Sequence, residues 1–284
     1  MLRPALRSAA LIVLRLTLVL SALGGLLLLF ETRFIYFPSR THDASPSGLG
    51  LPSEEVRLDA EDGVRLHAWL LPVRGARWTV LLSHGNAGNI SHRLDRTLLL
   101  QNRLGASVLL YDYRGYGKSE GSADEAGTYR DARAAYRYLT EKAGVAPERL
   151  VIFGESLGSA VSLDLALAHP AAALILEAPF LSVPAMARQT IFFPLAPFVR
   201  TRYDNLEKVG RLVTPLLVLH GDRDEVVPFA QGRKLYEAAP GPKRFFAIPG
   251  AGHNDTYLVG GEAYWRAIAD FLAGLPDPEP RASR

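Results

Sequence analysis

The chain reads as an α/β protein: a mostly parallel sheet with helices on both faces and an antiparallel hairpin at its start. Three features of the sequence point there. Five continuous apolar runs are spread along it, helical patterns stand between most of them, and two alternating segments come first. Unbroken apolar runs are what strands covered on both faces look like, whereas alternation marks a strand with one wet face. Strands alternating with helices imply a parallel sheet built from crossover connections.

The first element is of another kind. From Ser8 to Phe30 the sequence is apolar apart from Arg15. At 1.5 Å per residue such a helix can cross a hydrocarbon core of ~30 Å, and Arg15 lies near enough to its start to reach head groups. A cleaved signal peptide has a shorter apolar core. Ser21-Ala22-Leu23-Gly24 imitates a cleavage site, but Leu26 to Phe30 continue the run. A buried helix is the third option, and an uncleaved anchor fits best. Arg3, Arg7 and Arg15 place the N-terminal end in the cytoplasm and the rest outside it, although Arg33 and Arg40 weaken that vote. Phe34, Tyr36 and Phe37 would then sit at the interface.

The expected organisation is a membrane anchor over 1–33, a linker over 34–50, a folded domain over 51–276 and a flexible tail over 277–284. Thr41 to Gly50 is rich in Ser, Pro and Gly. Glu55 to Leu58 and Val64 to Leu71 then alternate, with the hairpin signal Asp62-Gly63 between them. The continuous strands follow: Thr79 to Leu82, Ser107 to Tyr111, Leu150 to Phe153, Ala173 to Leu176 and Leu216 to Leu219. Phe245 to Ile248 is a last strand. Helical patterns cover Ala123 to Glu141, Ser156 to Ala168 and Glu262 to Leu272.

One stretch breaks the rhythm. Between Pro179 and Pro215 no strand appears, and Ile191 to Phe198 is apolar and broken by prolines. This is too long for a plain connection. It reads as a small helical cap, about 179–214, over the C-terminal ends of the strands, where open α/β sheets bind ligands. Phe192, Phe193, Leu195 and Phe198 are its candidate substrate-binding residues. An ordinary helical excursion packed on the sheet is the plainer alternative.

Composition excludes several functions. The net charge is +3, and no basic run interleaves with aromatics, so nucleic acid is not expected as a partner. There is no cysteine, hence no disulfide, thiolate metal site or cysteine nucleophile.

The chemistry sits at strand ends. Gly154-Glu155-Ser156-Leu157-Gly158 is a G-x-S-x-G motif between a strand and a helix. That context makes it a nucleophile elbow, a turn so sharp that its flanking positions need glycine. It lifts the Ser156 hydroxyl above the sheet. The Leu157 N–H falls at a helix N-terminus, where it can hold an oxyanion. A serine needs a base. His253 lies on the loop after the last strand, and a neutral imidazole accepts a proton at neutral pH. The third member should be an acid after the preceding strand, in His220-Gly221-Asp222-Arg223-Asp224. Asp224 is the first choice and Asp222 the rival. The order Ser, Asp, His is the one expected for this architecture. Ser83-His84-Gly85-Asn86-Ala87-Gly88-Asn89 follows the third strand and should supply the second oxyanion donor, with the Asn86 N–H favoured over Ala87. His84 reads as structural, since no zinc spacing accompanies it. The loop matches neither a P-loop nor a dinucleotide fingerprint, so no cofactor or metal is expected.

With these pieces in place, the chain resembles the α/β-hydrolase superfamily. Within it, the chain is similar to membrane-anchored α/β-hydrolase-domain proteins grouped with serine aminopeptidase-like hydrolases. The resemblance rests on Ser83 to Asn89, Asp112-Tyr113-Arg114-Gly115-Tyr116-Gly117-Lys118-Ser119, Gly154 to Gly158, His220 to Pro228 and Gly252-His253. It implies Ser156, Asp224 and His253 as the triad, and Asp112 to Ser119 as a structural loop near the site. Relatives include lipid esterases, protein thioesterases and peptidases, so the fold does not choose the substrate. The expected activity is hydrolysis of an ester or thioester, on a small-molecule or lipid-like acyl substrate. A serine peptidase and a catalytically silent, membrane-tethered binding protein are the alternatives.

Overall fold

A computed structural model describes residues 2–190 and 193–276. Helix α1 spans Leu2–Leu29. Its stretch Leu11–Leu29 has a mean hydropathy of 2.3, is exposed over most of its length, with Gly24, Leu27 and Leu28 covered in part, and is long and apolar enough to cross a membrane. A single turn, Thr32–Ile35, follows it.

The first part of the segment expected as a linker, up to Asp43, is bonded to the body. Phe37–Pro38 pairs in parallel with Ala87–Gly88. The Arg40 guanidinium donates to the Ser119 carbonyl, and Asp43 meets His92 at 2.7 Å. The hydrogen bonds that fasten this part lie with residues far along the chain, while among the described residues those of 45–49 reach no further than Leu51.

Eight strands form the main sheet: β1 (Glu54–Asp59), β2 (Arg65–Leu71), β3 (Thr79–Ser83), β4 (Ser107–Tyr111), β5 (Leu150–Glu155), β6 (Ala173–Glu177), β7 (Leu216–Gly221) and β8 (Lys243–Ile248). Their order is β8-β7-β6-β5-β3-β4-β2-β1. β1 and β2 form the antiparallel hairpin, and β2 lies antiparallel to β4; all other pairs are parallel. The chain leaves β3 for β4 on one side and returns to β5 on the other. The loops after β3 and β5 therefore part at the sheet's switch point, where such folds place their ligands.

Helices cover both faces. On one side lie α3 (Glu125–Arg137), α4 (Leu157–Ala168) and α7 (Phe229–Ala238), and the other side carries α2 (Leu94–Leu104) and α8 (Thr256–Ala273). The sheet's inward residues split into two cores accordingly: Leu81, Leu109, Ile152 and Val218 face one, Leu82, Leu110, Phe153 and Leu219 the other. That division follows from the alternating sides of a strand. α3 begins where the Asp124 side chain caps the Gly127 N–H at 2.8 Å. α8 is two helices joined at a kink: a short one from Thr256 ends where Gly261 leaves helical geometry (φ 47°), and the one expected from Glu262 follows it.

Between β6 and β7 the chain makes α5 (Val183–Ala187), a 3₁₀ turn (Phe193–Phe198) and α6 (Asn205–Val209), with no strand among the described residues. Ala196 is buried, while Phe193 and Phe198 are 63% and 64% exposed.

Candidate active site

β5 runs straight into α4, and Ser156 stands at the join with φ 50° and ψ −114°. That conformation is strained for a residue with a side chain. It is held by the Ser156 N–H donating to the Glu177 carbonyl at 2.9 Å, and by the Ser159 N–H donating back to the Ser156 carbonyl at 2.9 Å. The flanking glycines are required by contact. A β-carbon on Gly154 would collide with the Gly158 carbonyl, and one on Gly158 with the Ser83 carbonyl. Close packing of β3, β5 and α4 thus depends on two absent side chains.

His253 and Asp224 come to Ser156 from the loops after β8 and β7. His253 Nε2 lies 3.0 Å from Ser156 Oγ, and His253 Nδ1 lies 2.8 Å from Asp224 Oδ2. With Nδ1 carrying the proton toward the carboxylate, Nε2 is the basic nitrogen that faces the hydroxyl. Asp224 Oδ1 accepts the N–H groups of Val226 and Val227 at 2.9 and 2.7 Å. His220 Nε2 stands 3.3 Å from Asp224 Oδ2. Burial alone would push the Asp224 carboxyl up. Hydrogen bonds from His220, His253 and the Val227 N–H outweigh burial and hold it well below the usual carboxylate range. Asp222, the rival, accepts the Gly250 N–H instead and braces the loop that carries His253.

The loop after β3 is fastened from behind. The Tyr113 hydroxyl donates to the His84 carbonyl at 2.8 Å, and the Tyr116 hydroxyl to the Asn86 carbonyl at 2.7 Å. The Asn86 carbonyl also accepts the Phe37 N–H, and its side chain donates to the Ile35 carbonyl. Carbonyl and side chain are thus both engaged, which leaves the Asn86 N–H. A β-carbon on neighbouring Gly85 would stand 3.7 Å from the Ser156 β-carbon. The Leu157 N–H opens α4 and has no partner within its own helix, as first-turn amides do not. His84 is fully buried, with Nδ1 2.7 Å from the Gly85 carbonyl. Burial and the charge of Arg93 push it down to about 4, which keeps it neutral.

Among the described residues, one group has metal-ligating geometry. His42 Nε2, His67 Nδ1 and Asp112 Oδ2 lie within 4.8 Å of one another. Asp112 is already engaged by both rings and by the Ile90 N–H. The trio fastens the segment before β1 to the Asp112–Ser119 loop.

Two cavities meet at Ser156. One, of about 300 Å³, is walled by apolar side chains of the cap (Phe180, Val183, Met186, Leu195) and, unexpectedly, by Leu27 and Leu28 of α1. The other, of about 330 Å³, is polar, with His92, Arg93, Arg96, Glu155, Asn254 and Tyr257 in its lining. Asn86 and Val226 line both. Beneath the polar one, Arg96 binds Glu177 through two nitrogens, at 2.6 and 2.9 Å, and pairs with Glu155.

The expected substrate residues divide. Leu195 is in the cavity wall. Phe193 and Phe198 point away from it, because the turn directs Ala196 inward and leaves them outside. Phe192 lies outside the described residues. Sequence reasoning also missed His220, whose place beside Asp224 had a local signal, and the two leucines of α1, which had none.

Residues 74–206 match the family described as serine aminopeptidase, S33. An uncharacterized protein of Mycobacterium tuberculosis is 40% identical over 245 residues, covering 85% of this chain and 87% of that one. The alpha/beta hydrolase domain-containing protein WAV2 of Arabidopsis thaliana is 36% identical over 276 residues, covering 87% and 89%. Among solved structures, an esterase of Pyrococcus furiosus superposes with a TM-score of 0.70 at 23% identity, over 84% of this chain and 97% of that one. At that identity the likeness concerns the fold.

Proposed function

Since this chain belongs to the α/β-hydrolase family and is a hydrolase, we propose that it cleaves an ester or thioester of an apolar acyl group through an acyl-enzyme on Ser156, while α1 holds it to a membrane. The observation that carries this reading is the pair of contacts at 3.0 and 2.8 Å linking Ser156, His253 and Asp224 at the mouth of an apolar cavity.

In this reading His253 Nε2 takes the proton as Ser156 Oγ attacks the carbonyl carbon. Asp224 keeps the imidazole in the needed tautomer and offsets the charge that forms on it. The Leu157 and Asn86 N–H groups hold the oxyanion, in a site partly closed to water, where such donors act strongly. His253 returns the proton to the leaving oxygen or sulfur. Water then repeats the sequence on the acyl-enzyme, with His253 again as base. The apolar cavity suits the acyl chain and the polar cavity the leaving group.

A peptidase needs more. An aminopeptidase must recognise a charged amine, and the carboxylates lining the two cavities are already engaged. Glu31 accepts from Arg200 and Thr201, while Glu155 and Glu177 pair with Arg93 and Arg96. That favours an uncharged acyl group. The arginines before Leu11 favour a catalytic domain on the extracytoplasmic side.

A fluorophosphonate probe tests the chemistry. The full chain should be labelled at Ser156 and the Ser156→Ala variant not at all. A panel of acetyl to decanoyl esters, thioesters and aminoacyl amides then ranks the substrates. Absence of labelling would favour the silent binding protein, and faster turnover of the amides would favour a peptidase. The mass of the protein purified from membranes distinguishes an anchor from a cleaved signal sequence.

A further inference from the structure

Leu27 and Leu28 belong to two structures at once. They lie in the apolar stretch Leu11–Leu29, and they line the cavity that ends at Ser156. The arrangement is fastened. Glu31, 8% exposed, accepts the Arg200 and Thr201 N–H groups at 3.0 and 2.9 Å and the Thr201 hydroxyl at 2.9 Å. The Arg200 guanidinium donates to the Leu28 carbonyl at 3.0 Å. At Gly24 the missing side chain admits Leu195, whose Cδ2 lies 3.1 Å from where a β-carbon would stand. A helix that only tethered the domain would need none of this, since a flexible connection suffices for tethering.

The surroundings are apolar and exposed. Phe30, Phe34 and Phe37 beyond α1, and Phe193 and Phe198 of the cap, are all exposed. Aromatic rings favour the membrane interface, and both segments beside the cavity, the one after α1 and the cap, leave such rings exposed. The two cavities also meet at Ser156 in the order of a lipid's own parts: apolar chain, ester, polar head.

We infer that α1 is a wall of the acyl site, and that the cavity fills from the bilayer: the chain of a single-chain lipid ester passes along Leu27 and Leu28 from the leaflet to Ser156. About 300 Å³ is at the small end of ligand cavities, typically ~300–1,000 Å³, which suits one chain rather than two. This inference rests on the ester hydrolase reading above.

The test uses the full chain in phosphatidylcholine vesicles and the ratio of kcat/KM for decanoyl over acetyl esters. Leu28→Trp, which fills the cavity, should lower that ratio by about tenfold or more. Leu28→Ala, which enlarges it, should move the preferred chain to greater length. In parallel, a fluorophosphonate carrying a diazirine at the end of a ten-carbon chain is reacted with the unaltered protein and irradiated. Crosslinks should fall on the peptide holding Leu27 and Leu28. An unchanged ratio in both variants, or crosslinks confined to the cap between Val183 and Val199, would overturn the inference alone. Failure of the unaltered protein to cleave acetyl esters or take the probe would overturn the hydrolase reading, and this one with it.

Discussion

Glu31 accepts both the backbone N–H and the hydroxyl of Thr201 at 2.9 Å, joining the end of the apolar helix to the cap 170 residues later. Glu31→Ala would strip acceptors from the Arg200 and Thr201 amides and from that hydroxyl. Each buried donor left unmade costs ~1–3 kcal/mol. The cap should open locally, and amide exchange at Arg200 and Thr201 should quicken by about tenfold or more while exchange in β5 and β6 stays put. Exchange unchanged at both amides would mean that water replaces the carboxylate without loss.

Asp224 and Asp222 are two residues apart and differ in partner. Asp224→Asn should lower kcat by about 10²–10⁴-fold, because an amide in place of the carboxylate upsets the tautomer of His253. Asp222→Asn keeps an acceptor for the Gly250 N–H and should cost less than about tenfold. Steady-state rates on a short ester decide between them; the reverse ranking would move the acid to Asp222.

Stability should depend on pH through His84. Burial and Arg93 push this ring down to about 4, against an ordinary 6.5. Between those values the unfolded chain binds a proton that the folded chain refuses. The contribution is therefore complete above pH 6.5, declines as pH falls toward 4, and is lost below that. Its size is on the order of 3 kcal/mol. Melting temperatures across this window should fall less steeply for His84→Gln than for the unaltered chain. His169, also held down by burial, keeps the remaining slope from vanishing. Parallel curves would show that His84 does not titrate differently on folding.

Cap residues should separate by the side they face. Each buried CH₂ is worth roughly 0.8 kcal/mol, so kcat/KM should climb by about tenfold per two carbons until the cavity is full. Leu195→Ala, in the cavity wall, should flatten that climb. Phe193→Ser with Phe198→Ser should leave the slope for dissolved esters intact and weaken retention on vesicles, measured by flotation. A slope lost with the phenylalanines and kept without Leu195 would invert the assignment.

Much of this was legible along the chain. The apolar runs locate the strands because burial on both faces leaves no room for polar alternation. Gly154 and Gly158 mark the sharp turn because its demand is local: no β-carbon fits where the strand meets the helix. Chain order brings Ser156, Asp224 and His253 to the same end of β5, β7 and β8 once the sheet is parallel. These features depend on periodicity, local backbone shape and order, which a sequence carries directly. The tertiary structure decided the rest. Whether Asp222 or Asp224 reaches His253 turns on the path of one loop, since the two are only two residues apart and each has a partner on the loop that carries His253. Phe193 and Phe198 are as apolar as Leu195, but a proline-broken turn has no period from which to read the inward side. Leu27 and Leu28 look like any leucines that seek lipid, and only the docking of Glu31 against Arg200 and Thr201 turns them toward Ser156, because contacts between segments so far apart leave no pattern in either one.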